Sequence, residues 1–181
     1  MRLLSRVKHD FPWIDVVVGD SLYSNGPFLT LVDKLGMGAV LIAKKETDEP
    51  LREAINLWAQ QPPGAVLDQD KTHADGRKLS GCEHIELWDC RDLETLDTYK
   101  KPVRVVRAIV SDPDAPEKAS STWCMLVTGC ALKLSSAKVL AVARGRWHIE
   151  NTGFHQWTTR WQFDHVFMHN ACGIAALFWL F

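Results

Sequence analysis

The chain has 181 residues, of which 46% are apolar and 24% charged, so a packed domain is expected and a disordered chain is not. The formal net charge of −1 does not indicate a nucleic-acid-binding protein. The charge is uneven, because residues 46–118 are acidic and the flanking segments mildly basic, which predicts either an acidic solvated insertion or a basic cleft between the flanks.

The first 46 residues alternate helical and strand patterns. Apolar residues on one side of residues 1–10 predict an amphipathic helix that Pro12 ends. The valine run at 16–18 predicts a short buried strand. A helix with Pro27 in its first turn follows, and residues 39–45 predict a second buried strand. This order predicts an α/β core in which two strands pair in parallel.

The middle of the chain has a different sequence pattern, which predicts a β-rich insertion. Residues 84–89 and 103–110 show partial alternation of apolar and polar side chains, as antiparallel strands do. Residues 111–121 are rich in turn formers. After them, residues 123–129 predict a strand, and a long helix is expected over 136–161.

We therefore predict one α/β domain with an insertion before its last helix. Residues 1–46 form the first part of the core, residues 47–120 the insertion, and residues 121–181 the last strand and the long helix. Ser135 and Ser136 are the candidate N-caps of that helix.

The ends of the chain give no sign of export or of membrane insertion. The first residues lack the apolar run of a signal peptide. The apolar stretch at 171–181 is about half as long as a membrane span. We therefore expect a cytoplasmic protein with no membrane partner.

Two carboxylates stand out against these patterns. Asp20 follows the first buried strand, at the sheet edge where open α/β folds bind ligands, although the same position suits an ordinary N-cap. Glu150 interrupts an apolar stripe at helical spacing, and a carboxylate in apolar packing needs a partner. Arg146, one turn earlier, either pairs with Glu150 at the surface or meets a phosphate in a site that Glu150 helps to form.

A carboxylate at a strand end and another on a later helix suit metal-assisted phosphoryl transfer. Magnesium prefers oxygen ligands and is usually held by few carboxylates together with substrate phosphates. Two such ions about 3.5–4 Å apart can activate the attacking oxygen and stabilise the leaving one. Asp20 and Glu150 are therefore the predicted ligands of Mg²⁺ or Mn²⁺.

The blocks VVVGDSLYSNGPFL, WCMLVTG and RGRWHIENTGFHQWTTRWQFDHVF together point to a known family. In this order they resemble the catalytic domain of bacterial insertion-sequence transposases of the DDE type, which has a ribonuclease H-like fold. The resemblance implies that Asp20 is the second catalytic Asp and that Arg146 and Glu150 form the R-x-x-x-E arrangement on a late helix. A β-rich insertion between the two acids, as at residues 47–120, is also typical of that family.

The resemblance implies DNA transposition, in which transposon ends are cut and joined by metal-dependent phosphoryl transfer. Arg146 would then contact the phosphate near the scissile bond, and Tyr23, His148 and Asn151 would line the site. The expected partner is double-stranded DNA, both transposon ends and target. The complete protein is expected to be a homodimer in the bacterial cytoplasm, associated with the nucleoid.

Three departures from the family pattern qualify this assignment. Ala143 stands where the family often has Tyr, and Trp157 stands where it often has Lys, and both family residues help to grip DNA near the cut. The first catalytic Asp of the family lies on an earlier strand, and neither Asp10 nor Asp15 is far enough upstream of Asp20. The resemblance therefore implies an N-terminally truncated copy: a partial ribonuclease H-like fold with little activity alone.

Three other interpretations stay open. The letters GDSL at 19–22 match the nucleophile block of GDSL-type esterases, with Ser21 as nucleophile and DKTH at 70–73 as a D-x-x-H block, but no oxyanion block is present. A zinc site is a weaker alternative, because neither the Cys82 and His84 pair nor the His165 and His169 pair has a second pair at ligand spacing. The third is a non-catalytic DNA-binding remnant.

Overall fold

The computed structural model describes residues 2–44, 49–72 and 78–148. The residues up to Arg146 belong to one compact unit. Across the described ranges, no helix is long and apolar enough to cross a membrane. The helices are α1 (Arg2–Asp10), α2 (Gly26–Lys34), α3 (Glu49–Trp58) and α4 (Ser136–His148). The strands are β1 (Val16–Gly19), β2 (Gly38–Ile42), β3 (Ala65–Thr72), β4 (Lys78–Leu93), β5 (Val103–Ser111) and β6 (Ser121–Gly129).

The six strands form one mixed sheet in the order β1-β2-β6-β5-β4-β3. Strands β1 and β2 are parallel, with Gly19 level with Leu41, and the other neighbouring pairs are antiparallel. Because β1 and β2 run in the same direction, their last residues lie at one side of the sheet, which we call the carboxyl edge. The predicted mixed α/β fold with a parallel pair is confirmed.

Helices cover both faces of the sheet, so the fold has three layers. On one face, α2 and α3 place Leu29, Leu51 and Trp58 in a core with Leu126. On the other face, α4 packs Val139, Leu140 and Ala143 against the sheet. Strands β5 and β6 are buried from both sides, and for that reason their sequences are nearly continuous apolar runs rather than strict alternations.

The residues predicted to form an insertion contribute one helix and three strands. Strands β3, β4 and β5 lie in the same sheet as β1, β2 and β6. Residues 47–120 are also not purely β, because they begin with α3, which sequence analysis missed. The boundaries of the three predicted parts stay a prediction.

Helix α2 has Pro27 in its first turn, as predicted, and local contacts define both of its ends. Asn25 is the N-cap, since its Oδ1 accepts a hydrogen bond of 3.1 Å from the Phe28 amide. Pro27 lies in the first turn, where its missing N–H costs no helical hydrogen bond. Gly36 follows the helix with φ of +69°, a conformation that glycine adopts without a steric penalty.

The start of α4 is also confirmed, with one of the two candidate serines as its cap. Ser135 Oγ accepts a hydrogen bond of 3.3 Å from the Lys138 amide, which is the usual N-cap contact. Ser136 contacts Asp89 and Arg104 instead. The predicted continuation of the helix over 149–161 lies outside the described residues.

The Gly26→Ala variant is expected to lower the free energy of unfolding by about 1–3 kcal/mol, as overpacking does. A Cβ at this first residue of α2 would lie 1.7 Å from the main-chain oxygen of Thr98, so the helix and the 98–99 segment would have to separate. Urea unfolding measures the change. Gly64→Ala is the matched control, because its Cβ would lie 3.8 Å from the nearest atom and should change stability by less than about 0.5 kcal/mol. Equal losses in both variants would contradict the close contact at Gly26.

Candidate active site

Asp20 is held at the carboxyl edge by the turn that follows β1. It comes directly after Gly19, the last residue of the strand, and precedes a 3₁₀ turn at Ser21–Tyr23. Its Oδ1 accepts a hydrogen bond of 2.6 Å from the Ser21 amide and one of 3.3 Å from Ser21 Oγ. The ordinary capping role considered for Asp20 is therefore present, and it fixes the carboxylate at the strand end.

Tyr23 lies in the same turn and packs beside the end of β1. A Cβ on Gly19 would be 3.2 Å from the Tyr23 ring and 3.0 Å from Leu41, so a larger residue there would require these side chains to shift. The Tyr23 ring also packs on Phe28, with 5.0 Å between the ring centroids, and half of the tyrosine is exposed. This places Tyr23 near Asp20 along the chain, and its role in lining a site stays a prediction.

Two cations act on the Asp20 carboxylate. The pKa of Asp20 is lowered from its usual value, mainly by the hydrogen bond from the Ser21 amide; burial opposes this, and the positive charges of Lys44 and Arg146 add to it. Lys44 follows β2, the parallel neighbour of β1, and Arg146 lies in the last turn of α4. An ionised carboxylate therefore lies within electrostatic reach of two cations that come from distant parts of the sequence.

The other predicted residues of the site are placed only in part. His148 is the last residue of α4, and its side chain is outside the described residues. Glu150, Asn151 and Trp157 lie outside them altogether. The predicted convergence of Glu150 with Asp20 stays a prediction. Ala143 is fully buried between α4 and the sheet, so its side chain packs in the core and offers no surface to a ligand.

A buried arginine fixes the start of α4 on the sheet. Arg104, on β5, is fully buried, and its Nε and Nη2 donate to the two carboxylate oxygens of Asp89 on β4 at 2.8 and 2.7 Å. Its Nη1 donates to the main-chain oxygens of Leu132 and Leu134 at 3.2 and 2.6 Å, just before α4. Its Nη2 also donates to Ser136 Oγ at 3.0 Å. Sequence analysis missed this arrangement, which we call the Arg104 clamp.

A second ion pair holds α4 one turn before its end. Arg144 Nη1 lies 2.9 Å from Glu83 Oε2 on β4, and both side chains are about three quarters buried. Together with the Arg104 clamp, this pair attaches both halves of α4 to the sheet. The position of Arg146 relative to the carboxyl edge therefore depends on contacts with β4 and β5.

Asp20 is chemically suited to a hard divalent cation. Its oxygens are ionised at neutral pH because of the lowered pKa, and the side chain is only partly buried. In the part of the chain that the structure describes, no three side chains of His, Cys, Asp or Glu gather into a metal-binding group. One carboxylate fits as part of a magnesium site, and the second predicted ligand, Glu150, lies beyond the described residues.

The described residues of the candidate zinc sites do not support the zinc alternative. His84 Nδ1 lies 2.8 Å from Asp68 Oδ1 on the neighbouring strand, so the imidazole has a carboxylate partner. Cys82 is an exposed free thiol. His165 and His169 lie outside the described residues.

The esterase alternative conflicts with the topology of the sheet. Ser21 follows β1, whereas Asp70 of the D-x-x-H block lies in β3, at the opposite side of the sheet. Five strand spacings of about 4.8 Å separate β1 from β3, or about 24 Å. A D-x-x-H block that begins there is too far away to activate Ser21, whose Oγ instead donates to Asp20. His73 itself lies outside the described residues.

Comparisons with known proteins give one family match. A family model described as "Transposase DDE domain" matches residues 1–180. A search of curated proteins gives no match. The matched range includes the carboxyl edge with Asp20, the whole of α4 and Glu150.

Proposed function

The chain belongs to the transposase DDE domain family, and from this premise we propose that it carries two of the three catalytic acids of a transposase. DNA transposition by metal-dependent phosphoryl transfer is then its activity in the complete protein. The observation that carries this proposal is the position of Asp20 directly after β1, where hydrogen bonds from Ser21 hold its carboxylate at the carboxyl edge. The positive charge of Arg146, in the last turn of α4, adds to the lowering of the Asp20 pKa.

In this proposal, Asp20 and Glu150 bind the divalent cation, Mg²⁺ or Mn²⁺. The cation, when bound, supplies Lewis-acid activation of the reacting oxygens. Asp20 contributes an ionised carboxylate that its bonds to Ser21 already orient. Glu150, two positions after His148 in the sequence, contributes the second.

The proposed role of Arg146 is to bind the DNA phosphate near the scissile bond. A guanidinium is always charged, and its planar N–H groups match the geometry of phosphate oxygens. The attachment of α4 to β4 and β5 restrains this residue, which limits the conformational entropy lost when the phosphate binds. Tyr23, His148 and Asn151 are proposed to line the same site.

We further propose that these residues form the part of a ribonuclease H-like catalytic domain that holds the second and third catalytic acids. Residues 47–120 form the insertion between the two parts of the core, 1–46 and 121–181. Among the described strands, β1 is the outermost on its side of the sheet, which supports this because an edge strand can pair with a further strand. Large apolar side chains on both sides of β1 in the sequence are also exposed, with Leu3 at 75%, Trp13 at 71% and Leu22 at 82%.

Double-stranded DNA is the proposed partner, as transposon end and as target. The complete protein is proposed to act as a homodimer on the bacterial nucleoid, in the cytoplasm. If the protein binds DNA but does not cleave it in the experiment below, the chain is a non-catalytic DNA-binding remnant.

The test begins with the DNA upstream of the Met1 codon, where an open frame encoding a strand that ends in Asp is expected. The chain is then produced alone and together with that preceding segment, and both are assayed for nicking of DNA that carries the ends of the element. Magnesium-dependent nicking that EDTA abolishes is expected only when the preceding segment is present. Binding without nicking under every condition would instead support the remnant, and nicking without a metal would contradict the proposed mechanism.

A further inference from the structure

We propose that Lys44 is a second DNA-phosphate contact of the active site, in addition to Arg146. This inference rests on the proposed function, because it requires DNA to lie across the carboxyl edge at Asp20. Sequence analysis gave Lys44 no role, and the family match does not assign one.

The pairing of the first two strands places Lys44 at the same edge of the sheet as Asp20. Strands β1 and β2 are parallel and end within one residue of each other, with Gly19 level with Leu41. The ladder between β2 and β6 continues one residue further, because the Ala43 amide donates to the Cys124 main-chain oxygen at 2.8 Å, and Ala43 is buried. Lys44 is therefore the first exposed residue after an anchored strand end, at the same edge as Asp20.

The electrostatics agree with this placement. Lys44 lowers the pKa of Asp20 more strongly than Arg146 does, so its ammonium group acts on the same carboxylate as the guanidinium. One cation near this carboxylate therefore comes from the end of β2 and the other from α4.

The number of charges favours a phosphate as the target of Lys44. If Asp20 and Glu150 bind a divalent cation, their negative charges are used by the metal. A DNA phosphodiester that binds at this edge brings the negative charge that Lys44 and Arg146 then face. A lysine ammonium on its flexible stem is suited to a point-charge contact with a phosphate, whereas Arg146 can make a bidentate one.

The inference is tested by the salt dependence of DNA binding, measured by fluorescence anisotropy of a labelled duplex with the full 181-residue chain. Each phosphate contact contributes about 0.9 to the slope of log K against log salt. Lys44→Gln is expected to reduce that slope by about 0.9 and to weaken binding at low salt. Lys44→Arg, which keeps the charge, is expected to keep the slope.

Lys133→Gln is the matched control. Lys133 is exposed and follows β6, which runs antiparallel to β2, so it lies at the end of the sheet opposite the carboxyl edge. Its removal is expected to leave the slope unchanged. Far-UV circular dichroism with thermal unfolding confirms that each variant folds as the wild type does.

The outcomes separate this inference from the proposed function. If Lys44→Gln keeps the wild-type slope while Arg146→Gln reduces it, Lys44 is not a phosphate contact and the proposed function stands. If Lys44→Gln and Lys133→Gln reduce the slope equally, the contribution of Lys44 is not specific to the carboxyl edge and the inference is wrong. If the wild-type chain shows no salt-dependent DNA binding, both proposals are overturned.

Discussion

Asp20→Asn is expected to reduce magnesium-dependent DNA cleavage by the complete protein by about 100-fold or more. A metal ion acting as a Lewis acid supplies several kcal/mol of transition-state stabilisation, and each 1.36 kcal/mol corresponds to about tenfold in rate. The substitution removes the charge and one carboxylate oxygen from the proposed metal site. It keeps an Oδ1 that can accept the hydrogen bond from the Ser21 amide, and Asn is as good a cap as Asp, so the turn should persist.

Asp15→Asn is the matched control for this prediction. Asp15 precedes β1, at the end of the strand opposite Asp20, and its exposed carboxylate lies 3.4 Å from Lys8 Nζ. The same chemical change there should leave cleavage within about twofold, because exposed ion pairs contribute little. Wild-type cleavage by Asp20→Asn, or an equal loss in both variants, would show that Asp20 is not a metal ligand.

Arg104→Met is expected to lower the free energy of unfolding by about 3–5 kcal/mol, the usual effect of removing one partner from a buried ion pair. Arg104 is fully buried, with 0% of its side chain accessible to solvent, whereas 26% of the Asp89 side chain is accessible. The variant would leave the Asp89 carboxylate without its two-point partner. The main-chain oxygens of Leu132 and Leu134 would also lose their donors. Urea unfolding monitored by tryptophan fluorescence measures the loss.

Arg91→Gln is the control for this substitution, because it removes the other cation near the same carboxylate. Arg91 Nη2 lies 3.5 Å from Asp89 Oδ2, but 56% of its side chain is exposed. A loss below about 1 kcal/mol is expected for such a pair. If the two arginine variants lose similar stability, the Arg104 clamp does not anchor α4 in the way described.

The pH dependence of the Arg104→Met effect follows from the state of Asp89. Burial alone would raise the pKa of Asp89, but hydrogen bonds from Arg104 and Ser136 and the charges of Arg104 and Arg91 outweigh it, so the pKa lies below its usual value of 3.8. A carboxyl whose pKa is lowered by folding stabilises the protein above its unfolded pKa, and this stabilisation is lost as the pH falls through the folded pKa. The stability difference between wild type and Arg104→Met should therefore be largest near neutral pH. It should shrink as the pH falls through the folded pKa of Asp89 in the variant and then through that in the wild type, which lies below 3.8.

Much of the sheet could be predicted because its central strands appear in the sequence as short apolar runs. Strands β2, β5 and β6 are packed on both faces and read as apolar runs bounded by turn residues. Strand β3 was not predicted, because it is an outer strand whose side chains are largely exposed and whose order comes from its ladder with β4. Helix α3 was not predicted either, although its buried residues Leu51, Ala54 and Trp58 stand at helical spacing in the sequence.

The candidate site could be predicted only where a residue conflicts with its local pattern. Asp20 ends a valine strand, and a carboxylate at such a position attracts attention. Lys44 resembles any exposed lysine after a strand, and only the parallel pairing of β1 and β2 shows that it lies at the same edge of the sheet as Asp20. The partners of Arg104 lie on β4 and before α4, so no local pattern in β5 indicates that this arginine is buried and paired.

The most direct test of the central claim, that Asp20 binds a divalent cation at the carboxyl edge, is a titration of the ¹⁵N-labelled chain with Mn²⁺. The paramagnetic ion broadens the amide signals of residues close to it. Broadening is expected first at Asp20, Ser21 and Lys44, with no early effect at Lys133, and Asp20→Asn should abolish it. Broadening that begins elsewhere, or that persists unchanged in Asp20→Asn, would contradict the account.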